Sequence, residues 1–343
     1  MAKIAIVGAS GKLGGATLSG LLAHNLAPAS DIVALTSASP GSETWAKLAR
    51  KGVQVRHADF EDPATFESAL QGVDCFFFVS TPNVALDYGV AMDYDGTASP
   101  APLSERRGRE SRHKGAIDAA VKAGVQRIVY SSLAFGFSAA EKRPSDRSKA
   151  GVMRAHLRTE AYLRAVGERR GTEVTIIREG LYNESWPLYL GYEAYNNAAA
   201  AAARGEQDFV PLAGDGGISW AAIHDLGVAS ALVLTSGSEF VGRTFYLSTP
   251  PQTAKTVSEV GELVGRARGK DIRVKIVGRE EHVRYYVEER GMPAPAVEWW
   301  VGTYAALEDG ECLIDDPTLK NLLDRVGLKP IPIEKTITIM VKE

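Results

Sequence analysis

The turn Gly8-Ala9-Ser10-Gly11-Lys12-Leu13-Gly14 constrains this chain more than any other feature. It follows an apolar run, Ile4 to Val7, and opens a stretch of helical period, Lys12 to Ala23. Gly-x-x-Gly-x-x-Gly therefore stands between a strand and a helix. Glycine there permits a tight turn and a close approach of backbone to a bound group. The helix N-terminus adds free N–H groups and a partial positive charge. A pyrophosphate suits such a turn, and a dinucleotide is the natural molecule to bring one, so Gly8, Ser10, Gly11, Lys12, Leu13 and Gly14 are expected to bind it.

The next 170 or so residues repeat the same grammar. Short apolar runs at Ile32 to Leu35, Val53 to Arg56, Cys75 to Val79, Arg127 to Tyr130 and Val174 to Ile177 barely alternate, as strands buried on both faces do. Between them lie helix candidates at Glu43 to Lys51, Ala64 to Leu70, Ser111 to Ala123 and Lys149 to Val166, several followed by glycine (Gly52, Gly72, Gly124, Gly167). Strand, crossover helix and parallel strand in alternation predict an α/β fold, a Rossmann-type doubly wound parallel sheet. After Gly180 the alternation lapses. Helices are expected at Asn196 to Arg204, Ala221 to Leu234, Thr256 to Arg268 and Glu280 to Arg290, and strands at Phe245 to Leu247 and Ile272 to Val277. The expected division is a dinucleotide-binding domain over residues 1–184, with 215–250 returning to it, and a smaller C-terminal α/β lobe over 185–214 and 251–343 that covers the substrate. The polar, aperiodic stretch Asp87 to Arg107 reads as an inserted loop, either a lid or disordered.

Composition narrows the partners. Thirty-nine basic against forty-two acidic side chains give a net charge of −3, which provides no summed field for nucleic acid or an anionic membrane. No apolar run of about 20 residues spans a bilayer, and the chain enters its first strand without a leader, so a cytoplasmic location is expected. Two cysteines, Cys75 and Cys312, are too few for a disulfide framework or a thiolate metal site, and the histidines show no ligand spacing; no metal is expected. His224-Asp225 is read as the start of a helix whose N-terminus Asp225 stabilises. The cluster Arg106, Arg107, Arg109 and Arg112 is read as a solvated loop and helix start. Aromatic segments at Trp186 to Tyr189, Tyr285-Tyr286 and Trp299-Trp300 serve either a flat substrate pocket or the core.

The choice of dinucleotide turns on the end of the second strand. An acidic residue there accepts a hydrogen bond from the ribose 2′-OH, whereas Val33-Ala34-Leu35-Thr36-Ser37 carries none. NADP(H) is therefore preferred over NAD(H), with Lys12, Thr36 and Ser37 as candidates for the 2′-phosphate. Asp59, followed by Phe60, is a candidate for the adenine amino group or for capping its own turn. Ser80, Thr81 and Pro82, after the fourth strand, are placed with the cofactor as well. A carbonyl reductase normally pairs tyrosine with lysine one helical turn on, so that the ammonium lowers the phenol pKa. None of the twelve tyrosines has lysine at +4.

The glycine turn, the run Ala119 to Val125, Tyr130-Ser131-Ser132, His156-x-x-Thr159-Glu160 and Arg178-Glu179-Gly180-x-Tyr182-x-Glu184 together resemble the NmrA-like family, an atypical branch of the short-chain dehydrogenases, and most closely its NADPH:quinone oxidoreductase members. The resemblance runs from residue 1 to about Leu247. It departs at the 87–107 insertion and at Ala140 to Lys149. It implies that Ser131 and Ser132 lie beside the nicotinamide and that His156 stands where other members have lysine, to hold the ribose or relay a proton. Tyr182 and Asn183 are implied at the cleft mouth, Tyr182 as a second proton donor. His156, Tyr182 and Ser132 are thus the catalytic candidates. The expected activity is NADPH-dependent hydride transfer to a quinone, enone or aromatic carbonyl, and a homodimer is the assembly considered. The alternative is a non-catalytic NADP(H)-sensing regulator that binds a protein partner. A sugar epimerase would need the missing tyrosine acid.

Overall fold

In a computed structural model, which describes residues 2–84, 108–191 and 208–342, the alternation of the first half becomes a parallel sheet. Its strands are β1 (Ile4–Val7), β2 (Ile32–Thr36), β3 (Gln54–His57), β4 (Cys75–Val79), β5 (Arg127–Leu133), β8 (Glu173–Glu179) and β10 (Thr244–Leu247). Between β5 and β8 lies a short antiparallel pair, β6 (Phe137–Ser138) and β7 (Arg143–Pro144). The main sheet runs β10-β8-β5-β4-β1-β2-β3, so the strand order reverses between β1 and β4. A doubly wound sheet opens a crevice at the carboxyl ends of its strands at such a reversal.

Burial on both faces explains why these runs do not alternate. In β4, Cys75 and Phe77 pack into one core while Phe76 and Phe78 pack into the other, all beyond the reach of water. Each buried phenylalanine contributes about 2 kcal/mol to holding the layers together. Helices α1 (Lys12–Ala23) and α7 (Ile223–Thr235) cover one face; α2 (Glu43–Ala49), α3 (Ala64–Ala69), α4 (Arg109–Lys122) and α5 (Met153–Arg170) complete the crossovers. Helix α5 differs from expectation at both ends. Lys149 lies outside it, paired with Asp309 at 2.5 Å. The helix also passes through Gly167, where a Cβ would lie 3.0 Å from Thr172 O, and ends at Gly171, which takes the left-handed turn at φ +71°.

The C-terminal part has its own core. Helices α6 (Trp186–Tyr189), α8 (Val257–Arg268), α9 (Arg279–Arg284), α10 (Ala294–Glu308), α11 (Thr318–Arg325) and α12 (Ile333–Lys342) are joined by a two-stranded parallel sheet of β9 (Phe209–Leu212) and β11 (Arg273–Ile276). Trp186, Trp299, Trp300, Tyr189 and Tyr304 are buried in this second core. The aromatic segments therefore fill the lobe. Thr256 and Glu259 form a reciprocal cap at the start of α8, as an uncapped helix end requires. The stretch expected as one helix from Glu280 to Arg290 passes into a π-turn at Tyr285–Glu289. The inserted loop Asp87 to Arg107 and the helix expected at Asn196 to Arg204 lie outside the described residues.

Candidate functional site

The phosphate cradle is built by three backbone constraints. Gly8 turns with φ +66°, and the Gly11 amide donates to Gly8 O at 2.8 Å. A Cβ on Gly14 would lie 2.4 Å from that same carbonyl oxygen, so nothing larger than hydrogen fits where α1 leaves the turn. No side chain caps the amides at this helix N-terminus, and its first turn holds no acid. The N–H groups of a first turn have no intrahelical acceptor, so these await an external anion, and a pyrophosphate fits them.

At the β2 end of the crevice, Thr36 is 3% exposed; its hydroxyl accepts from the Ala38 amide at 3.2 Å and lies 3.3 Å from Ser10 Oγ. Ser37 is exposed. Lys12, exposed at the head of α1, borders a cavity of about 540 Å3 between α1 and α7 together with Ser19, Glu184 and His224. Asp59 performs the local role foreseen as its alternative: Oδ1 accepts from the Glu61 amide at 3.0 Å. Phe60 is half-buried beside it, its ring centroid 5.1 Å from Phe66 and 6.1 Å from Phe78.

At the other end, Ser80 and Thr81 follow β4 and are fixed by a histidine that sequence reasoning missed. His113 Nε2 accepts from the Thr81 amide at 3.2 Å and faces Ser80 Oγ at 3.2 Å. The amide can only donate, so the proton sits on Nδ1, which faces Thr159 Oγ1 at 2.9 Å. No sequence spacing announces this histidine, since its partners lie 32 and 46 residues away. Pro82 is exposed.

His156 is 4% exposed, and both ring nitrogens are engaged in the interior. Nε2 accepts from the Arg109 guanidinium at 3.0 Å and Nδ1 faces the Tyr130 hydroxyl at 3.0 Å. Burial, followed by the charge of Arg109, holds the imidazole well below its ordinary pKa. The expectation of a proton relay near neutrality is thus corrected: His156 stays neutral, with both ring nitrogens engaged by buried side chains. Arg109, expected in a solvated cluster, is instead 7% exposed, drawn inward by this imidazole at the start of α4.

Ser132 is committed as well. Its hydroxyl donates to Glu160 Oε1 at 2.7 Å, and Glu160 is gripped by Arg178 through two bonds of 3.0 and 2.9 Å. Arg178 also donates to the carbonyls of Gly136 and Ser145, so one buried ion pair fixes the exit of β5. Asn183 is fully buried and donates to Ile331 O and Thr336 Oγ1; it ties the β8 exit to the C-terminal segment, and does not line the cleft mouth. Asp225 likewise serves the tertiary fold, accepting from the Ile331 amide, while Glu184 caps α7 through the Ile223 amide.

Tyr182 is the exception. It is half-buried, and among the described residues its hydroxyl makes no hydrogen bond. Burial, then the carboxyls of Glu179 and Glu184, push its pKa upward, so the phenol remains protonated. Beside it, Ser131 and a second residue missed from sequence, Glu179, close the ends of β5 and β8. Glu179 is 1% exposed, and burial pushes its carboxyl up to about 8. Cys75, also buried, is pushed up to about 12, so its thiol is inert. Among the described residues no group of three or more His, Cys, Asp or Glu side chains is arranged to hold a metal, and no helix is long and apolar enough to cross a membrane.

The chain matches the model of the NmrA-like family over residues 1–308. It is 30% identical over 329 residues to flvB of Aspergillus flavus, an NmrA-like family domain-containing oxidoreductase, covering 95% of this chain and 91% of that one. It is 28% identical over 321 residues to quinone oxidoreductase 2 of Escherichia coli, covering 93% of each. Among solved structures, the NADPH-dependent quinone oxidoreductase of Escherichia coli complexed with NADPH superposes with a TM-score of 0.71 at 26% identity, over 98% of this chain and 99% of that one. The triphenylmethane reductase of Citrobacter sp. complexed with NADP(H) does so at 0.70 and 25%, with the same coverage. With the glycine cradle, the seven-stranded order and these likenesses together, the chain belongs to the NmrA-like family and is an oxidoreductase of it.

Proposed function

We propose that this chain binds NADPH across the carboxyl ends of β1, β4, β5 and β8 and reduces a quinone, enone or aromatic carbonyl held under its C-terminal part. The observation that carries the reading is the α1 N-terminus, uncapped, free of acid and closed to any side chain at Gly14. Preference for NADPH over NADH rests on the absence of a carboxylate at Thr36 and Ser37 and on the NADP(H) complexes of the structural neighbours. Residues 1–184 with 215–250 form the dinucleotide-binding part in this reading, and 185–214 with 251–343 the covering lobe.

Bound NADPH supplies the hydride. The protein's part is to orient and to protonate. Ser131 and the Ser132–Glu160–Arg178 set hold the floor of the nicotinamide end, and His113 holds Ser80 and Thr81 beside it. His156 is a positioning residue, fixing Tyr130 and Arg109. Among the described residues Tyr182 offers a half-buried phenol whose hydroxyl makes no hydrogen bond, and it stays protonated, able to donate to an acceptor oxygen. A reduced quinone is a weakly basic phenolate that water protonates, so the lack of a lysine to activate a tyrosine costs a quinone reductase little. An enolate or alkoxide depends on Tyr182 far more.

The test is NADPH oxidation, followed by loss of the reduced-nicotinamide absorbance, with a panel of quinones, enones and aromatic ketones and with NADH as control. Turnover with quinones supports the reading. Tight NADPH binding without turnover on any acceptor overturns it in favour of a dinucleotide sensor.

A further inference from the structure

One buried carboxyl remains outside this account. Glu179 ends β8, paired in register with Leu133 of β5 and Leu247 of β10. Its neighbour Arg178 points to the opposite face, into Glu160, so Glu179 faces α7. There Oε1 accepts from Ser230 Oγ at 3.1 Å, while Oε2, also sealed from solvent, has no hydrogen-bond partner. The charged and titratable groups around this face are few. Ser131 comes from β5 and Ser230 from α7, both hydroxyls; Tyr182 and Glu184 come from the exit of β8; Asp225 and His224 lie at the head of α7 and Lys12 at the head of α1. Among the described residues no cation contacts Glu179. Burial keeps it protonated against the two serine hydroxyls, which favour its ionised form.

In the reading proposed above, on which this inference rests, the pyrophosphate lies on α1 and the adenosine half over β2 and β3. The nicotinamide half then lies over β5 and β8. The oxidised ring carries a positive charge that the reduced ring lacks. A charge above a dry carboxyl is screened little, so the two must interact. We propose that Glu179 sets the preference of this protein between oxidised and reduced dinucleotide, protonated beneath the neutral ring and ionised beneath the cationic one. Binding of NADP+ then releases a proton from Glu179, and binding of NADPH does not.

The consequence is a linkage measurable without any acceptor. A fall of one pKa unit in Glu179 on binding NADP+ changes relative affinity by about tenfold. The 2′-phosphate titrates in both dinucleotides, so its effect cancels in their ratio.

The experiment measures Kd for NADP+ and NADPH by quenching of protein fluorescence between about pH 6 and pH 9, the range that spans the raised Glu179 transition. Calorimetry in two buffers of different ionisation enthalpy counts the protons released. The wild type is expected to shift towards NADP+ by about tenfold or more across this range and to release a proton with NADP+ alone. Glu179→Gln keeps the shape and should flatten the ratio and abolish the release. Ser230→Ala, which removes a donor to the carboxylate, should move the transition to higher pH. A wild-type ratio that is flat, or a pH dependence that survives Glu179→Gln, overturns the proposal while leaving dinucleotide binding intact. Failure of either dinucleotide to bind overturns the proposed function and this inference with it.

Discussion

At the scale of single residues, this protein places ionisable groups where water cannot follow and holds them neutral. The signs of the resulting pH dependence follow from the directions of the shifts. Glu179 has a folded-state pKa raised to about 8 from an ordinary value near 4.5, so its contribution is fully present in acid and is lost as pH rises through about 8. Glu179→Gln is therefore expected to remove a loss of about 4 kcal/mol that develops between about pH 4.5 and pH 8, read as urea midpoints that no longer fall across that range. His113 and His156 act in the opposite sense. Burial, followed by Arg109, holds both well below 6.5, so stability is lost as pH falls below that value and the unfolded chain takes up protons the folded one refuses. Lys12→Ala offers a separate check. Because Lys12 borders the same cavity as Glu184, NADPH and NADH should weaken by similar factors. A loss confined to NADPH would move the ammonium back to the 2′-phosphate.

At the scale of elements, the site depends on one close helix crossing and one buried ion pair. Helix α7 approaches α1 so tightly that a Cβ on Gly227 would lie 2.5 Å from the carbonyl carbon and Cβ of Ala16. Alanine in a helix interior is worth about 1 kcal/mol over glycine, whereas overpacking against backbone costs about 1–3 kcal/mol. The clash involves backbone that cannot swing aside, so Gly227→Ala should lower the melting temperature. It should also weaken dinucleotide binding, since α1 carries the cradle. Arg178 and Glu160 are the second dependence. Arg178→Met strands a carboxylate that keeps only Arg164 and Ser132, and should destabilise the fold by about 3 kcal/mol or more. Glu160→Gln with Arg178→Met should recover part of that loss in a double-mutant cycle.

Across the whole molecule, one carboxylate fastens the C-terminal part onto the sheet. Glu311 accepts from the amides of Gly136 and Lys149 and from Ser148 Oγ, clamping the loop that carries β6 and β7. Asn183, Asp225 and Glu184 make three more ties between the β8 exit, α7 and the C-terminal segment. Glu311→Ala leaves two amides and a hydroxyl without their acceptor. It is expected to raise KM for the acceptor more than it lowers affinity for NADPH, because the cradle follows β1, two strands away from β5 in the sheet. Steady-state kinetics alongside direct NADPH titration separates the two.

The sheet and the cradle were legible in the residues alone. Period and composition are local properties, and Gly8, Gly11 and Gly14 lie within seven residues of one another, so strand, turn and helix are legible without knowing what they touch. The partners of His156, Ser132 and Asn183 depend on the tertiary structure. Each of those side chains has several possible partners, and which is nearest depends on segments brought together from far along the chain: Arg109 47 residues from His156, Glu160 28 from Ser132, Ile331 148 from Asn183. Glu179 illustrates the same limit. In sequence it is an ordinary acid in Arg178-Glu179-Gly180; only the packing of α7 against β5 and β8 takes it out of water, and desolvation, which no local pattern records, makes it a carboxyl that holds its proton.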